Sequence, residues 1–213
     1  MDSLHVLDLL FLGEKQEIGA YLLETGDGPA LFDCGPATTL EHLRSRLDEH
    51  GLAVRDLRHL LLSHIHLDHA GAAGALVHEN PKLTVWVSPI GAPHLVDPSR
   101  LEASARRLFG ATFDTLWGPL TPVPEHNVRL AEGDVLGWEA FPTPGHASHH
   151  VSYFRDGTLL AGRARQRGEL REQVEDVRRH RVTILCVGRS AHARRSPYLL
   201  RRPEKDAEVR VIR

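Results

Sequence analysis

The segment Ser63-His64-Ile65-His66-Leu67-Asp68-His69 constrains this 213-residue chain more than any other. It follows an apolar run, Leu57 to Ser63, that reads as a strand. A helix is expected to start near Asp68 and to pass through Ala72, Ala75 and Leu76 to His78, because Pro81 cannot continue it. Side chains two apart in extended backbone point to the same side, so His64 and His66 can meet one metal ion. Asp68 and His69 offer an oxygen and a nitrogen ligand displaced from that pair. Zinc takes these ligand types, and a catalytic zinc site keeps one position open for water. Fifteen histidines make some clustering ordinary, and a histidine-rich loop capped by Asp68 is the bland alternative. Ligand density at a strand-to-helix junction favours the metal.

A second constellation is Pro142-Thr143-Pro144-Gly145-His146-Ala147-Ser148-His149-His150. Alone it reads as a turn before a strand. Beside the first cluster, His146 in a loop stiffened by Pro and Gly becomes a third imidazole, with His149 and His150 orienting neighbours or entering the next strand.

Short strands are expected at Leu4–Leu12, Gly19–Glu24, Ala30–Gly35, Leu83–Val87, Asn127–Leu130, Val135–Phe141, His150–Phe154 and Thr158–Ala161. Thr25-Gly26-Asp27-Gly28-Pro29 and Asp156-Gly157 carry turn chemistry. A helix capped by Thr38 or Thr39 should bury Leu40, Leu43 and Leu47 and end at Gly51. Residues 93–118 read as partly helical, with Leu101, Ala105 and Leu108 on one face. Strands interleaved with helices point to layered α/β or α+β architecture.

Ser63-His64-Ile65-His66-Leu67-Asp68-His69-Ala70-Gly71 resembles the signature of the metallo-beta-lactamase fold superfamily. Leu31-Phe32-Asp33-Cys34-Gly35 resembles the family's strand ending in an Asp-x-Gly turn, and Thr143-Pro144-Gly145-His146 its next ligand motif. The resemblance covers about residues 4–162 and implies an αββα sandwich with metals at one edge. It implies that His64, His66 and His146 hold a first zinc, that Asp68 and His69 hold a second, and that Asp33 supports the site from beneath. The activity it implies is hydrolysis by a zinc-activated hydroxide, with Asp68 in a catalytic role orienting the nucleophile or taking its proton. The family spans thioesters, lactones, β-lactams, phosphodiesters and sulfate esters, so the fold does not fix the substrate; a small ester, thioester or lactone is expected.

The family places a bridging aspartate after the strand matching Thr158–Gly162, and this chain has Arg163 there. A guanidinium cannot ligate zinc. One firmly bound zinc and a weak second are therefore expected. A metal-binding but catalytically impaired protein is the alternative reading. The family's late histidine has only His192, or less suitably His180, to match it.

The charge balance turns over at the same place. Residues 1–162 hold 11 Lys+Arg against 21 Asp+Glu, whereas residues 163–213 hold 15 against 7. Two domains are thus expected: 1–162 metallo-beta-lactamase-like, and 163–213 a basic, divergent or frame-shifted, partly disordered segment with one strand at Val182–Val187. A basic end raises nucleic-acid processing as a third reading, but the acidic body and the lack of interleaved aromatics argue against it. Two distant cysteines, no basic leader and no apolar run of bilayer length suggest a cytoplasmic protein with a small-molecule substrate and no membrane.

Overall fold

The computed structural model describes residues 4–162, 183–186 and 209–211. Arg163, His180 and His192, and most of the basic segment, lie outside the described residues.

The first sheet contains β1 (Leu4–Asp8), β2 (Gly19–Thr25), β3 (Gly28–Phe32), β4 (His59–Leu61), β5 (Thr84–Val87) and β6 (Val128–Leu130), in that spatial order. β1, β2 and β3 pair antiparallel, and β3 to β6 pair parallel. The second sheet runs β7 (Gly133–Val135), β8 (Trp138–Pro142), β9 (Val151–Arg155), β10 (Thr158–Leu160), β11 (Thr183–Cys186) and β12 (Val209–Val211). Its first four strands form an antiparallel meander, and β11 and β12 add parallel. Helices α1 (Leu40–Asp48), α2 (Leu67–Ala70), α3 (Ala73–Glu79), α4 (Ala92–Val96), α5 (Ser99–Phe109) and α6 (Phe113–Leu116) all come from the connections of the first sheet.

Alternation along the strands explains the layering. On the first sheet, Ala20, Leu22, Leu31, Leu60, Val85 and Val87 face one way and pack with Leu43 and Leu47 of α1 and Leu76 and Val77 of α3. The intervening Tyr21, Leu23, Ala30, Phe32 and Leu61 face the other way, onto Val135, Trp138, Ala140, Val151, Tyr153 and Leu160 of the second sheet. A sheet covered on both faces reads as near-continuous hydrophobic runs, as β2, β3 and β4 do. The sheets lock where the Phe32 ring meets Tyr153 edge-on at 5.9 Å and the Tyr153 hydroxyl donates to the Leu62 carbonyl at 3.0 Å. This is the α/β layered arrangement expected from the residue pattern, with the sandwich between the sheets.

Several local expectations change. The expected strand Leu4–Leu12 stops at Asp8, whose carboxylate accepts from the backbone N–H of Leu10 and Gln16 and turns the chain. Thr39 takes the N-cap position of α1 as expected, but its side chain makes no capping bond: the Thr39 hydroxyl donates to the Pro36 carbonyl and the Thr38 hydroxyl to the Leu116 carbonyl. Val135–Phe141 is two strands, because Leu136 and Gly137 both take positive φ, 57° and 79°, and close a tight hairpin. The helix expected from Asp68 to His78 breaks after Ala70, where Ala72 N–H donates to the Gly35 carbonyl at 2.9 Å. Leu108, spaced to share a helical face with Leu101 and Ala105, is 78% exposed, and at that end of α5 Phe109 meets Trp117 edge-on. Val209–Val211 pairs with β11 as a strand, in a stretch without apolar periodicity.

A Cβ on Gly74 would collide with the Thr121 backbone, which cannot swing aside. Gly74→Ala is therefore expected to cost about 3 kcal/mol in chemical denaturation, whereas Leu108→Ser should stay within roughly 0.5 kcal/mol of the parent.

Candidate metal centre

The site forms where four chain segments meet at one edge of the sandwich. Asp33 directly follows β3, Ser63 and His64 follow β4, His66 is the N-cap of the single-turn α2 that carries Asp68 and His69, and the β8–β9 loop delivers His146. Hydrogen bonds fasten the last segment to the others: Val151 N–H donates to the Ser63 carbonyl at 2.8 Å, and the Ser88 hydroxyl donates to the His149 carbonyl at 2.9 Å.

Asp33 is fully buried and adopts a left-handed backbone, φ 56°, which is strained for any residue with a Cβ. Its carboxylate accepts from the Ser63 backbone N–H at 2.8 Å, the Ser63 hydroxyl at 2.8 Å and His69 Nδ1 at 2.7 Å. The Ser63 hydroxyl has one proton and gives it to Asp33, so His64 Nδ1, 2.9 Å from that oxygen, must be its donor. Both imidazoles then carry a proton on Nδ1, which leaves Nε2 as the nitrogen that can turn to a metal ion. One buried carboxylate sets two ring orientations, directly for His69 and through Ser63 for His64.

The ligand atoms of His64, His66 and His146 lie within 4.8 Å of one another, and so do those of His64, Asp68 and His69. His66 Nδ1 is 3.1 Å from His64 Nε2 and 3.1 Å from His146 Nε2. Nitrogens bound tetrahedrally at about 2.0 Å to one zinc would stand about 3.3 Å apart. His69 Nε2 is buried without a hydrogen bond; Asp68 Oδ2 lies 3.3 Å away, close enough for charge attraction but not aligned. A buried imidazole nitrogen whose neighbour is a carboxylate suits a metal ligand.

The electrostatics agree. Burial and the neighbouring His69 and His66 hold His64 well below the usual imidazole range, so it is neutral. Burial opposes protonation of His69, but the charges of Asp68 and Asp33 outweigh it and push that ring up to about 10. Two carboxylates thus call for a cation at His69, a proton or a metal ion. Burial, His69 and His146 bring His150 down to about 3; burial, His66 and His94 bring His149 down to about 4.

All five ligands expected from the residues, His64, His66, Asp68, His69 and His146, converge, and Asp33 lies beneath them. Ser63 was not singled out, although its place between the strand and His64 was visible. Thr143 was also missed: its hydroxyl bonds His150 Nδ1 at 2.7 Å and Ser152 Oγ at 2.8 Å, bracing the loop that carries His146. A polar Ser152 between Val151 and Tyr153, inside an apolar strand, was the available signal. Gly162, with φ 51°, closes the floor, since a Cβ there would collide with the Ser63 side chain.

The family model for the metallo-beta-lactamase superfamily matches residues 18–197. The chain belongs to this superfamily. The match continues past Gly162, so the family signal does not end where the charge balance turns over. The chain is 28% identical over 173 residues to the uncharacterized protein YobT of Bacillus subtilis, covering 76% of this chain and 67% of that one. It is 28% identical over 163 residues to an N-acyl homoserine lactonase of Bacillus thuringiensis, covering 64% of this chain and 57% of the lactonase. It therefore spans little more than half the lactonase's length. Among solved structures, an archaeal superfamily protein from Sulfolobus tokodaii matches with a TM-score of 0.62 and 23% identity, over 76% of this chain and 63% of that chain. BJP-1, a subclass B3 metallo-beta-lactamase of Bradyrhizobium japonicum, matches with a TM-score of 0.62 and 18% identity, over 97% of this chain and 82% of that chain. Members of the superfamily bind metal ions, usually zinc, and most are hydrolases.

Loss of the Asp33 carboxylate should be felt in both folding and metal affinity. Asp33→Ala is expected to destabilise by about 3 kcal/mol or more, because three buried donors lose their acceptor. Ser63→Ala should fold but lose about 10- to 100-fold in metal affinity, read by chelator competition.

Proposed function

We propose that this chain is a zinc-dependent hydrolase acting on a small ester, thioester or lactone. The observation that carries the reading is the pair of three-residue groups sharing His64, His64/His66/His146 and His64/Asp68/His69. Imidazole nitrogens with one carboxylate suit zinc better than calcium or magnesium, which prefer oxygen. The sequence similarity to N-acyl homoserine lactonases supports a small acyl substrate.

His64, His66 and His146 would hold the first zinc, and Asp68 and His69 a weaker second. Bound zinc would supply an activated water and a Lewis acid at neutral pH. The chain's own residues do the rest. Asp33 and Ser63 keep the His64 and His69 rings in the tautomer that presents Nε2. Asp68, with 23% of its side chain exposed, stands at the open side of the site. Its carboxylate can orient the attacking water and take its proton. Burial of His64 and His69 keeps solvent from competing at the back of the site.

A second reading rests on Arg163, which stands where the superfamily resemblance places a bridging aspartate. On that reading the protein binds one zinc firmly and turns over slowly or not at all. The Arg-rich segment makes nucleic acid a third class of partner, which we do not favour because residues 1–162 are acidic. Among the described residues no helix is long and apolar enough to cross a membrane. We place the protein in the cytoplasm, where a buried free Cys34 is unremarkable.

Elemental analysis of purified protein should find about one tightly held zinc per chain, with a second lost on dialysis, as expected for a three-imidazole site beside an unbridged one. Two tightly held ions would contradict this stoichiometry. A panel of lactones, thioesters and esters should reveal hydrolysis that chelator abolishes and zinc restores. If the zinc-loaded chain hydrolyses none of them while Arg163→Asp does, the impaired reading holds; if both are inert, hydrolysis of this substrate class is wrong.

A further inference from the structure

His149 sits beside the ligand groups but belongs to neither of them. Its ring is perpendicular to His66 at 5.3 Å and stacked parallel to His64 at 6.0 Å. Two bonds hold it in place. The Ile65 backbone N–H donates to His149 Nδ1, at a long 3.4 Å. The Ser88 hydroxyl donates to the His149 carbonyl at 2.9 Å, and the Ser88 hydroxyl oxygen itself accepts the Gly91 N–H at 3.0 Å.

The Ile65 contact favours one tautomer. An Nδ1 that accepts a backbone N–H carries no proton, so the neutral ring has its proton on Nε2. His64 and His69 show the opposite pattern, with Nδ1 as the donor to Ser63 and Asp33 and Nε2 turned to the metal position. His149 is therefore set up as a hydrogen-bond donor beside a set of metal-ligand acceptors. Its Nε2 has no hydrogen-bond partner in another described residue, and the ring is half-buried. His150 differs: it is 4% exposed and its Nδ1 is tied to Thr143, which suits an internal brace.

We propose that His149 is a substrate-binding residue of this site, its Nε2–H donating to a carbonyl or carboxylate oxygen of the bound acyl compound. The proposal rests on the hydrolase reading above and adds a residue to it. A fixed neutral donor next to the metal ligands orients an oxygen without competing for the metal, because its remaining nitrogen offers no lone pair.

The test uses zinc-loaded full-length protein and two variants. His149→Leu removes the donor, and His149→Gln keeps an N–H near the Nε2 position. The probe is ring-opened N-hexanoyl homoserine, a carboxylate product whose binding by calorimetry needs no turnover; KM and kcat for the corresponding lactone are measured in parallel. His149→Leu should weaken product binding and raise KM about tenfold, the effect of one neutral hydrogen bond left unmade. Zinc content and melting temperature should not change, and His149→Gln should return both constants to within about threefold of the parent. Parental binding by His149→Leu would overturn the proposal. So would a Gln variant as weak as Leu, which would mean shape and not donation, or zinc loss as severe as that of His146→Ala, which would make His149 a ligand. A parent protein that neither binds nor hydrolyses these acyl compounds would overturn this role, whereas the hydrolase reading falls only if the whole panel of lactones, thioesters and esters is inert.

Discussion

The Asp33 carboxylate is the interaction on which the site depends. It is buried, held in a strained left-handed backbone, and joined by three short hydrogen bonds to Ser63 and His69. A buried anion with fewer donors would cost several kcal/mol (roughly 3–5 when one partner is removed). Here the donors are the groups that must be oriented for metal binding, so satisfying the charge and aiming the imidazoles are one event. The strain at Asp33 is tolerable because its backbone is pinned on both sides: Asp33 N–H donates to Leu61, and Cys34 N–H donates to the His69 carbonyl.

The sandwich supplies the precision. β3 and β4 are parallel neighbours, so their C-terminal ends put Asp33 and Ser63 side by side. The Phe32–Tyr153 contact and the Tyr153–Leu62 hydrogen bond fix the second sheet against the first within the same few residues. β9 is thereby registered against the end of β4, and the loop before it brings His146 to His66. A packed interior transmits such register closely, because cores have little free volume. The histidines are 80 residues apart in the chain, yet their ring nitrogens meet at 3.1 Å.

Much of this was legible from the residues. The i, i+2 spacing of His64 and His66 at a strand end, and the Asp68-His69 pair at a helix start, carry their own geometry. So do Gly28 and Asp156-Gly157, whose turns need positive φ. What was hidden depends on partners distant in the chain. The Ser63 hydroxyl gains meaning only once Asp33 lies next to it. Leu108 matched a helical face by spacing, but nothing in the spacing says whether a neighbour covers the last turn of α5. The break after Ala70 coincides with Gly71 at the end of α2, but the bond from Ala72 N–H to the Gly35 carbonyl that accompanies it joins residues distant in the chain. Val135–Phe141 read as one strand because the Leu136-Gly137 hairpin turn sits inside an apolar run.

The superfamily is settled by the match over residues 18–197, whereas the substrate and the metal count rest on the site. On the proposed reading, His64, His69 and His146 would present Nε2 and His66 Nδ1 to bound metal. Imidazole 15N spectra of the protein titrated with zinc test it most directly. The account predicts zinc-induced shifts at the Nε2 of His64 and His146 and the Nδ1 of His66 with the first equivalent, followed by His69 Nε2, while Nδ1–H persists on His64 and His69. Zinc-induced shifts confined to other histidines, such as the surface pair His5 and His50, or loss of the Nδ1 proton from His64, would contradict it.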